Sequence, residues 1–384
     1  HVFGFIVCFL FPQVFGNTMV IPAKPSPEAI VQACKESRVT QFVAIPAVWN
    51  GVAQLVKKRF VEMSGTSPED FDKMIELSLS YQEAGVDLPM PVAGMLQMIR
   101  EQLVGNELYI AVSGGGYILP ETLRILNGLG YYLVNGYGMT EIGIYSVVNT
   151  EVLADRLDGN VGAPLFDDSL RMVPLGDEQR DRDDPCERGE LTVRSNVVFC
   201  GTLRGGIFHA RDRKEWFHTG DIGRFCGDRI FLDGRVKDII LKASGENLYP
   251  DELEGAFATV PGLQKYVIFG LPEGLYDRIA MLVEPVEGAD PEVLAEAVAE
   301  INLTMPLDQQ IERFFVSKKP LDLSASAKVR RGPVAEAVAS GDWPLTEYPL
   351  AARKKAAEAV APSETEIRAS SYCTPEIAAD PAFF

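Results

Sequence analysis

The amino-acid sequence predicts an α/β protein with a large N-terminal domain and a smaller α+β C-terminal domain. Between residues 42 and 134, short apolar runs alternate with amphipathic stretches and end in glycine-rich turns, an order typical of strand–helix–strand units. From Val161 short β runs and turns predominate, and strands alternate with helices again after about residue 236. The length of 384 residues and the 47% hydrophobic content fit two or three domains with a sizeable core.

The elements predicted for the N-terminal half follow from the apolar spacing and from the residues that interrupt it. Pro120 begins a helix and Gly130 follows its end, the places where these two residues favour helix boundaries. Pro46 ends a short buried strand. In chain order we expect a helix over 26–38, a strand over 42–45, a helix to about 60, a polar helical insertion over 61–90, a helix over 92–103, a strand over 108–112, a helix over 120–129 and a strand over 131–134.

The C-terminal half is predicted from shorter runs. The highly charged segment 177–184 is expected to be a solvated loop. The tail from 341, rich in Ala, Glu, Pro and Ser, is expected to be a linker or disordered. Between them we expect a hairpin of 229–232 with 238–242, a helix over 250–259, strands over 267–270 and 279–284, a helix over 291–303 and a strand over 311–316.

The opening segment, HVFGFIVCFLFPQVFGNTMVI, is strongly apolar. It has no basic residue before its apolar stretch, and Pro12 and Gly16 interrupt it well short of about 20 apolar residues, so it predicts buried core rather than a signal or membrane segment. Because the first residue is His1 rather than Met, we expect a piece of a longer protein.

Composition excludes several classes of function. Lys and Arg number 36 against 54 Asp and Glu, a net charge of −18, which argues against nucleic-acid binding because phosphates need a basic surface. The six cysteines form no CxxC pair and there are only three histidines, which argues against a zinc site or a disulfide framework. We therefore expect a reducing, cytoplasmic environment in which each cysteine is a small buried apolar residue.

Glycine-flanked polar clusters occur at the ends of predicted strands, where open α/β sheets bind ligands. There is no GxxxxGK[ST] phosphate loop and no GxSxG nucleophile turn. The first cluster, VSGGGYILPE over 112–121, contains Gly114, Gly115 and Gly116, which would let the backbone approach a flat ligand. Taken alone, a plain turn explains this cluster better.

The second cluster, NGYGMTEIG over 135–143, is predicted to be a loop that carries an aromatic ring, a hydroxyl and a carboxylate. Tyr137 could stack on a base and Thr140 could bond a phosphate. Glu141 could hold Mg²⁺, a cation that prefers oxygen ligands.

Three further segments each carry one charged candidate. Asp221, in WFHTGDIGRF, could accept both hydroxyls of a ribose, and a β-turn aspartate explains it equally well. Arg235, in DGRVKDIILKASGENLYPDELE, could add a second ribose contact. Lys328, in SASAKVRR, follows a predicted strand, although a lone lysine in a loop is usually only solvated.

The order of these motifs is more informative than any one of them. YGMTE, then TGD, then GRVKD with GEN and YPDELE, and finally a late lysine resemble the adenylate-forming, AMP-binding enzyme superfamily of acyl-CoA synthetases, firefly-type luciferases and adenylation domains. VSGGG followed by LPE and then NGYGMTE is most similar to the long-chain fatty acyl-CoA synthetases. The resemblance extends from about His1 to Val334.

The resemblance implies a domain organisation. Residues 1–236 would form a partial N-terminal AMP-binding domain with mixed α/β sheets and a distorted β-barrel. Residues 237–340 would form a mobile C-terminal lid domain, and 341–384 a tail. In the family a loop that binds the β- and γ-phosphates of ATP precedes the HVFG segment, so the resemblance implies an N-terminally truncated fragment. The missing loop argues against activity of the fragment alone, and the sequence leaves that activity open.

The resemblance also implies a role for each motif residue. Catalytic roles fall to Lys328, Thr140 and Glu141, and Glu141 is also the Mg²⁺ ligand. Nucleotide binding falls to Gly114, Gly115, Gly116, Tyr137, Gly138, Met139, Thr140, Asp221, Arg235 and Lys328. Lys237 would be the hinge, Gly245 would line the CoA channel and His1 would border the acyl pocket. The sequence departs from most relatives at Ala327, where they carry glycine, a difference that the long-chain branch shares.

The function that follows is an ATP-dependent ligase that joins a long-chain fatty acid to CoA through an acyl-AMP intermediate, with ATP, Mg²⁺ and CoA required. Two alternatives remain open: an inactive AMP-binding relative with a binding or regulatory role, and an adenylation domain that loads a carrier protein. The expected partners are small molecules and not nucleic acid, and a long-chain substrate would favour peripheral membrane contact from the cytoplasm. The sequence gives neither the acyl chain length nor the oligomeric state.

Overall fold

The computed structural model describes residues 3–24, 26–167, 169–175, 185–242, 247–258, 260–274, 276–323 and 329–350. The chain divides into two compact units. Unit 1 comprises His1–Lys237 with Leu323–Lys328, and unit 2 comprises Asp238–Asp322 with Val329–Phe384.

The helices begin at the breakers that the sequence shows. Proline occupies the first turn of most of them, and the Ser26 and Ser67 hydroxyls accept hydrogen bonds from backbone amides of the turn that follows. The α-helices are α1 (Phe11–Val14), α2 (Pro27–Glu36), α3 (Pro46–Ser64), α4 (Pro68–Glu83), α5 (Met90–Gln102), α6 (Pro120–Gly128), α7 (Leu153–Leu157), α8 (Pro250–Phe257), α9 (Pro291–Asn302) and α10 (Arg331–Ala339). A π-helix covers Gly4–Leu10, and 3₁₀ turns cover Val236–Asp238 and Leu307–Gln309.

The strands lie in both units. They are β1 (Gln41–Ala44), β2 (Ile110–Gly114), β3 (Leu133–Met139), β4 (Gly143–Val147), β5 (Ala163–Pro164), β6 (Leu170–Val173), β7 (Cys186–Val193), β8 (Gly201–Arg204), β9 (Ile207–Ala210), β10 (Phe217–Cys226), β11 (Arg229–Arg235), β12 (Ile240–Leu241), β13 (Asn247–Leu248), β14 (Leu263–Glu273), β15 (Tyr276–Pro285), β16 (Arg313–Ser317) and β17 (Leu345–Tyr348). The predicted α/β class, with several sheets in the larger unit, is confirmed.

The first sheet of unit 1 has the order β1-β2-β3-β4-β5. β1, β2 and β3 run parallel, and β4 and β5 continue the sheet antiparallel. Helices α3, α4 and α6 pack with it into one apolar core that includes Trp49, Phe71 and Leu126, each 0% exposed. The Trp49 indole N–H donates to the carbonyl of Val112 on β2 (3.0 Å), which satisfies its polar group inside the core.

The second sheet of unit 1 has the order β11-β10-β7-β6 and is antiparallel. It lies where the resemblance implied a distorted β-barrel. Cys186 on β7 and Cys226 on β10 face each other in the register and form a disulfide. The expectation that every cysteine is a small buried residue is therefore wrong for this pair, and also for Cys8 and Cys200, which are exposed.

Unit 2 contains a four-stranded sheet of order β14-β15-β16-β17, packed against α8, α9 and α10. β17 pairs with β16 from Ser317↔Leu345 to Phe314↔Tyr348. The predicted start of the tail at 341 is therefore too early, because the chain adds an edge strand before it. Residues 351–384 lie outside the described part of the chain.

The opening segment is helical and largely exposed. Phe5 is 55% exposed, Val14 75% and Phe15 72%, so the prediction of buried core is wrong for these side chains. An apolar composition favours burial of a segment, but its side chains are buried only where other residues cover them. In the described part of the chain no helix combines the length and the apolarity that crossing a bilayer requires.

The predicted hairpin of 229–232 with 238–242 is also wrong. β11 pairs with the preceding strand β10, and β12 pairs with β13. The turn Gly227–Asp228 makes the β10–β11 pairing local, so it is favoured over a pairing across the unit boundary.

Candidate functional site

The carboxyl ends of β2 and β3 lie side by side in unit 1. The parallel register pairs Ser113 with Asn135 and Gly114 with Gly136, which brings the first two glycine clusters to one edge of the sheet. Gly115 has a φ of +85°, a conformation that residues with a Cβ rarely adopt. A Cβ at Gly114 would lie 2.8 Å from Cζ of Phe3, so the opening segment also reaches this edge.

The second cluster is a hairpin rather than a loop. β3 continues through Tyr137 to Met139 and pairs with β4. A Cβ at Gly138 would lie 2.1 Å from the carbonyl oxygen of Gly143, so the hairpin needs glycine there. In the connecting turn, Thr140 is exposed and Glu141 is half-buried.

Tyr137, Asp221 and Arg235 meet in one hydrogen-bonded cluster, although they lie on three different strands. The Tyr137 hydroxyl donates to Oδ2 of Asp221 (2.6 Å), and Arg235 Nε donates to Oδ1 of the same carboxylate (2.8 Å). Asp221 and Arg235 are register partners on β10 and β11. Burial raises the pKa of Tyr137, and the neighbouring Asp221 carboxylate raises it further, so this hydroxyl stays protonated and donates.

The TGD motif is a bulge in β10. The pairing of β10 with β7 shifts register between His218 and Ile222, and Gly220 has a φ of +75°. Thr219 donates to the carbonyl of Leu191 (2.8 Å), and its hydroxyl accepts the backbone N–H of Asp221 (3.0 Å). The bulge therefore fixes the direction of the Asp221 side chain.

Glu190 on β7 supports this bulge and was not predicted. Its carboxylate accepts the backbone N–H of Gly220 (3.0 Å), and its other oxygen lies 2.7 Å from Nδ1 of His218. The sequence analysis attached no motif to Glu190, and the β7–β10 register is what places it beside the bulge.

Two buried hydroxyls flank β3 and were also missed. Ser113 on β2 and Ser146 on β4 are 0% exposed, and among the described residues their Oγ atoms have no hydrogen-bond partner. Ser146 is the register partner of Tyr137, and Ser113 is the partner of Asn135. Polar groups therefore line the sheet on both sides of Tyr137.

Tyr137 and Arg235 donate to different oxygens of the Asp221 carboxylate, and each carboxylate oxygen has two lone pairs. That this carboxylate accepts ribose hydroxyls stays a prediction. The ring of Tyr137 packs edge-on against Tyr145, and the residue is only 7% exposed. In this structure Tyr137 therefore orients Asp221, and the stacking role that the resemblance implies stays a prediction.

Three further predicted residues, His1, Gly245 and Lys328, lie outside the described residues. Lys237 is exposed in the 3₁₀ turn Val236–Asp238, at the last position of unit 1 before unit 2 begins.

Glu141 is the predicted metal ligand. Within the described ranges no three His, Cys, Asp or Glu side chains cluster so as to hold a metal ion. Glu141, next to Thr140, is a single carboxylate. One carboxylate is compatible with Mg²⁺, which is commonly bound by one or two carboxylates together with substrate phosphates and waters, and the assignment of Glu141 stays a prediction.

Comparison with known proteins relates this geometry to a family. Residues 1–203 match the family of AMP-binding enzymes. Long chain acyl-CoA synthetase 7, peroxisomal, of Arabidopsis thaliana is 26% identical over 324 residues, which cover 80% of this chain and 44% of that protein. Long chain acyl-CoA synthetase 6, peroxisomal, of the same plant is 30% identical over 201 residues, which cover 51% of this chain and 27% of that protein. This chain therefore spans less than half the length of these relatives.

Solved structures share the fold. ATP-bound MatB from Rhodopseudomonas palustris superimposes with a TM-score of 0.60 at 19% identity, covering 88% of this chain and 58% of that one. The A domain of a carboxylic acid reductase from Segniliparus rugosus, in complex with AMP and a co-purified carboxylic acid, gives 0.60 at 18% identity, covering 85% and 50%. With the family match extending over more than half of the sequence, the resemblance is confirmed, and the chain belongs to the AMP-binding, adenylate-forming enzyme family.

Proposed function

We propose that the protein joins a long-chain fatty acid to CoA in two steps, through an acyl-AMP intermediate. The observation that carries this proposal is the Asp221 carboxylate, held by Tyr137 and Arg235 at the TGD bulge of an AMP-binding enzyme. The relatives named as long-chain acyl-CoA synthetases support the choice of acid.

In the first step the nucleotide is positioned by the edge of the first sheet and by the bulge. Asp221 accepts the ribose hydroxyls, and Arg235, whose side chain is 55% exposed, adds a donor beside them. Gly114, Gly115 and Gly116 let the adenine lie close to the backbone. Tyr137 keeps Asp221 in place through a buried hydrogen bond.

The chemical difficulty of this step is that a carboxylate must attack the negatively charged α-phosphate of ATP, where it forms the acyl-AMP bond and displaces pyrophosphate. Lys328 is proposed to contribute positive charge as the new bond forms, where it stabilises the transition state more than the ground state. Thr140 would donate a hydrogen bond from its hydroxyl to a phosphate oxygen. Glu141 would hold Mg²⁺, which when bound would offset the charge of the phosphates.

In the second step the CoA thiol displaces AMP from the acyl-adenylate. We propose that the lid implied by the resemblance, residues 237–340, rotates at Lys237, so that the segment carrying Gly245 replaces the segment carrying Lys328 at the adenylate. The division between Lys237 and Asp238 supports this position for the hinge.

The proposed function is tested by acid-dependent exchange of labelled pyrophosphate into ATP. We expect exchange with long-chain fatty acids, and formation of the acyl-CoA after CoA is added, because the adenylate made in the first step is the substrate of the second. Exchange with short or aromatic acids alone would contradict the long-chain assignment. AMP binding without exchange for any acid would favour an inactive binding relative.

A further inference from the structure

The β8–β9 hairpin of unit 1 exposes apolar side chains on both of its faces. Among the described strands, β8 and β9 pair only with each other. The register pairs Leu203 with Phe208 and Arg204 with Ile207, and side chains alternate along a strand, so these two pairs point to opposite faces. Leu203 is 72% exposed, Ile207 64% and Phe208 55%. Every residue from 202 to 210 is exposed, so the described part of the chain covers neither face of the hairpin.

Two arginines and a tryptophan lie at the same end of the second sheet as this hairpin. The hairpin connects the end of β7 to the start of β10, where Val193 and Phe217 are register partners. Immediately beyond this pair, the guanidinium carbons of Arg171 and Arg194 each lie 4.6 Å from the centroid of the Trp216 ring. We call these last three residues the arginine–tryptophan stack.

The protein does not neutralise the positive charge of this stack. Within the described ranges neither Arg171 nor Arg194 forms an ion pair, whereas Arg124 of the same unit pairs with Glu76. The segment 200–216 carries four basic and two acidic residues, in a chain whose net charge is −18. Contact with the aromatic ring holds a guanidinium group in place and leaves its planar N–H donors for the oxygens of an anion.

We propose that the hairpin and the arginine–tryptophan stack dock on the surface of an anionic phospholipid bilayer. The apolar side chains on both faces of the hairpin enter the headgroup region, and the two arginines donate to lipid phosphates. Tryptophan favours the interface between membrane and water. Charge complementarity selects an anionic surface, because this basic surface contrasts with the negative charge of the whole chain. The inference rests on the proposed function, since a long-chain acid dissolves in the bilayer on which the protein would dock.

The electrostatic part is tested by cosedimentation with vesicles of phosphatidylcholine, with and without about 30% phosphatidylserine. A basic residue near such a surface strengthens binding about fivefold, so Arg171→Gln with Arg194→Gln should weaken binding to the anionic vesicles about 25-fold. Lys35→Gln with Lys58→Gln is the matched control, because it removes two exposed lysines from α2 and α3 of the same unit. The control should bind like the unsubstituted protein.

The apolar part is tested by Leu203→Ser with Phe208→Ser. We expect this variant to bind the anionic vesicles about 10- to 100-fold more weakly, because two side chains no longer transfer from water to the bilayer. Leu303→Ser with Leu307→Ser, two leucines that are also exposed, should leave binding unchanged. All these variants should retain pyrophosphate exchange without vesicles, which shows that they are folded.

Tryptophan fluorescence reports whether the stack reaches the lipid. Trp49 and Trp343 are buried and Trp216 is half-buried, so bromine-labelled lipid chains should quench the unsubstituted protein and should not quench Trp216→Phe. No vesicle binding, equal binding to both vesicle types, or binding that the arginine and hairpin variants leave unchanged would each overturn the inference. A dimer that forms without vesicles and is lost in the Leu203→Ser, Phe208→Ser variant would assign the hairpin to a second copy and also overturn it. Absence of exchange would instead overturn the proposed function.

Discussion

Replacing Lys328 with alanine is expected to lower adenylate formation by about 10²- to 10³-fold. In the proposed mechanism the substitution removes a positive charge that acts where negative charge grows on the α-phosphate, and it leaves the proposed ribose site around Asp221 intact. Thioester formation from supplied acyl-AMP should stay within about twofold of normal, because that step starts after the phosphate chemistry is complete. Pyrophosphate exchange and a coupled CoA-release assay measure the two steps separately.

The matched control is Lys318→Ala, which removes an exposed lysine that precedes Lys328 in the sequence. It should leave both half-reactions unchanged. If Lys328→Ala reduced both half-reactions equally, Lys328 would have a structural role and the adenylation role would be refuted.

Replacing Lys237 with proline should impair the second half-reaction and spare the first, the reverse of the expectation for Lys328→Ala. Proline fixes φ near −65°, close to the value of about −60° in a 3₁₀ turn, so the turn Val236–Asp238 can form but its rotation is restricted. We expect pyrophosphate exchange to be preserved and thioester formation to fall about tenfold or more, which corresponds to about 1.4 kcal/mol of barrier.

Lys237→Ala is the control for the lost charge, because alanine keeps the backbone free to rotate. It should leave both half-reactions close to normal. Normal CoA transfer by the proline variant would refute the hinge assignment, and a loss in both variants would assign the effect to the lysine side chain.

The sequence predicted the helices of unit 1 better than the ends of its strands. Breakers such as Pro46 and Pro120 mark helix starts within the chain itself, and the structure begins α3 and α6 at these residues. Strand ends depend on partners that the sequence does not identify. β3 was expected to stop at 134, whereas pairing with β4 extends it to Met139.

Pairing across long distances explains the other errors. Cys186 and Cys226 are separated by 40 residues and become neighbours only through the β7–β10 register. The composition of the segment after 341 predicts a linker, yet Leu345–Tyr348 completes the sheet of unit 2 because β16 offers it an open edge. Neither register can be obtained from the local sequence.

The candidate site was predicted in part. The order of the motifs selected Tyr137, Asp221 and Arg235, and the structure joins all three by hydrogen bonds. The order of the motifs did not indicate that the Tyr137 hydroxyl orients Asp221, or that Glu190 supports the bulge, because both contacts arise from strand register. The roles of these residues in binding AMP remain predictions.

The central claim is that the Asp221 carboxylate accepts hydrogen bonds from the ribose hydroxyls of AMP. It is tested most directly by measuring binding by calorimetry. The affinities for AMP and for 2′,3′-dideoxy-AMP are measured on the unsubstituted protein and on Asp221→Ala. Asp228→Ala is the control, because Asp228 lies in the exposed turn of the same hairpin. We expect the unsubstituted and control proteins to bind AMP about 10- to 100-fold more tightly than the dideoxy form, as for hydrogen bonds to a charged group, and Asp221→Ala to lose this preference. An equal preference with and without the Asp221 carboxylate would contradict the claim.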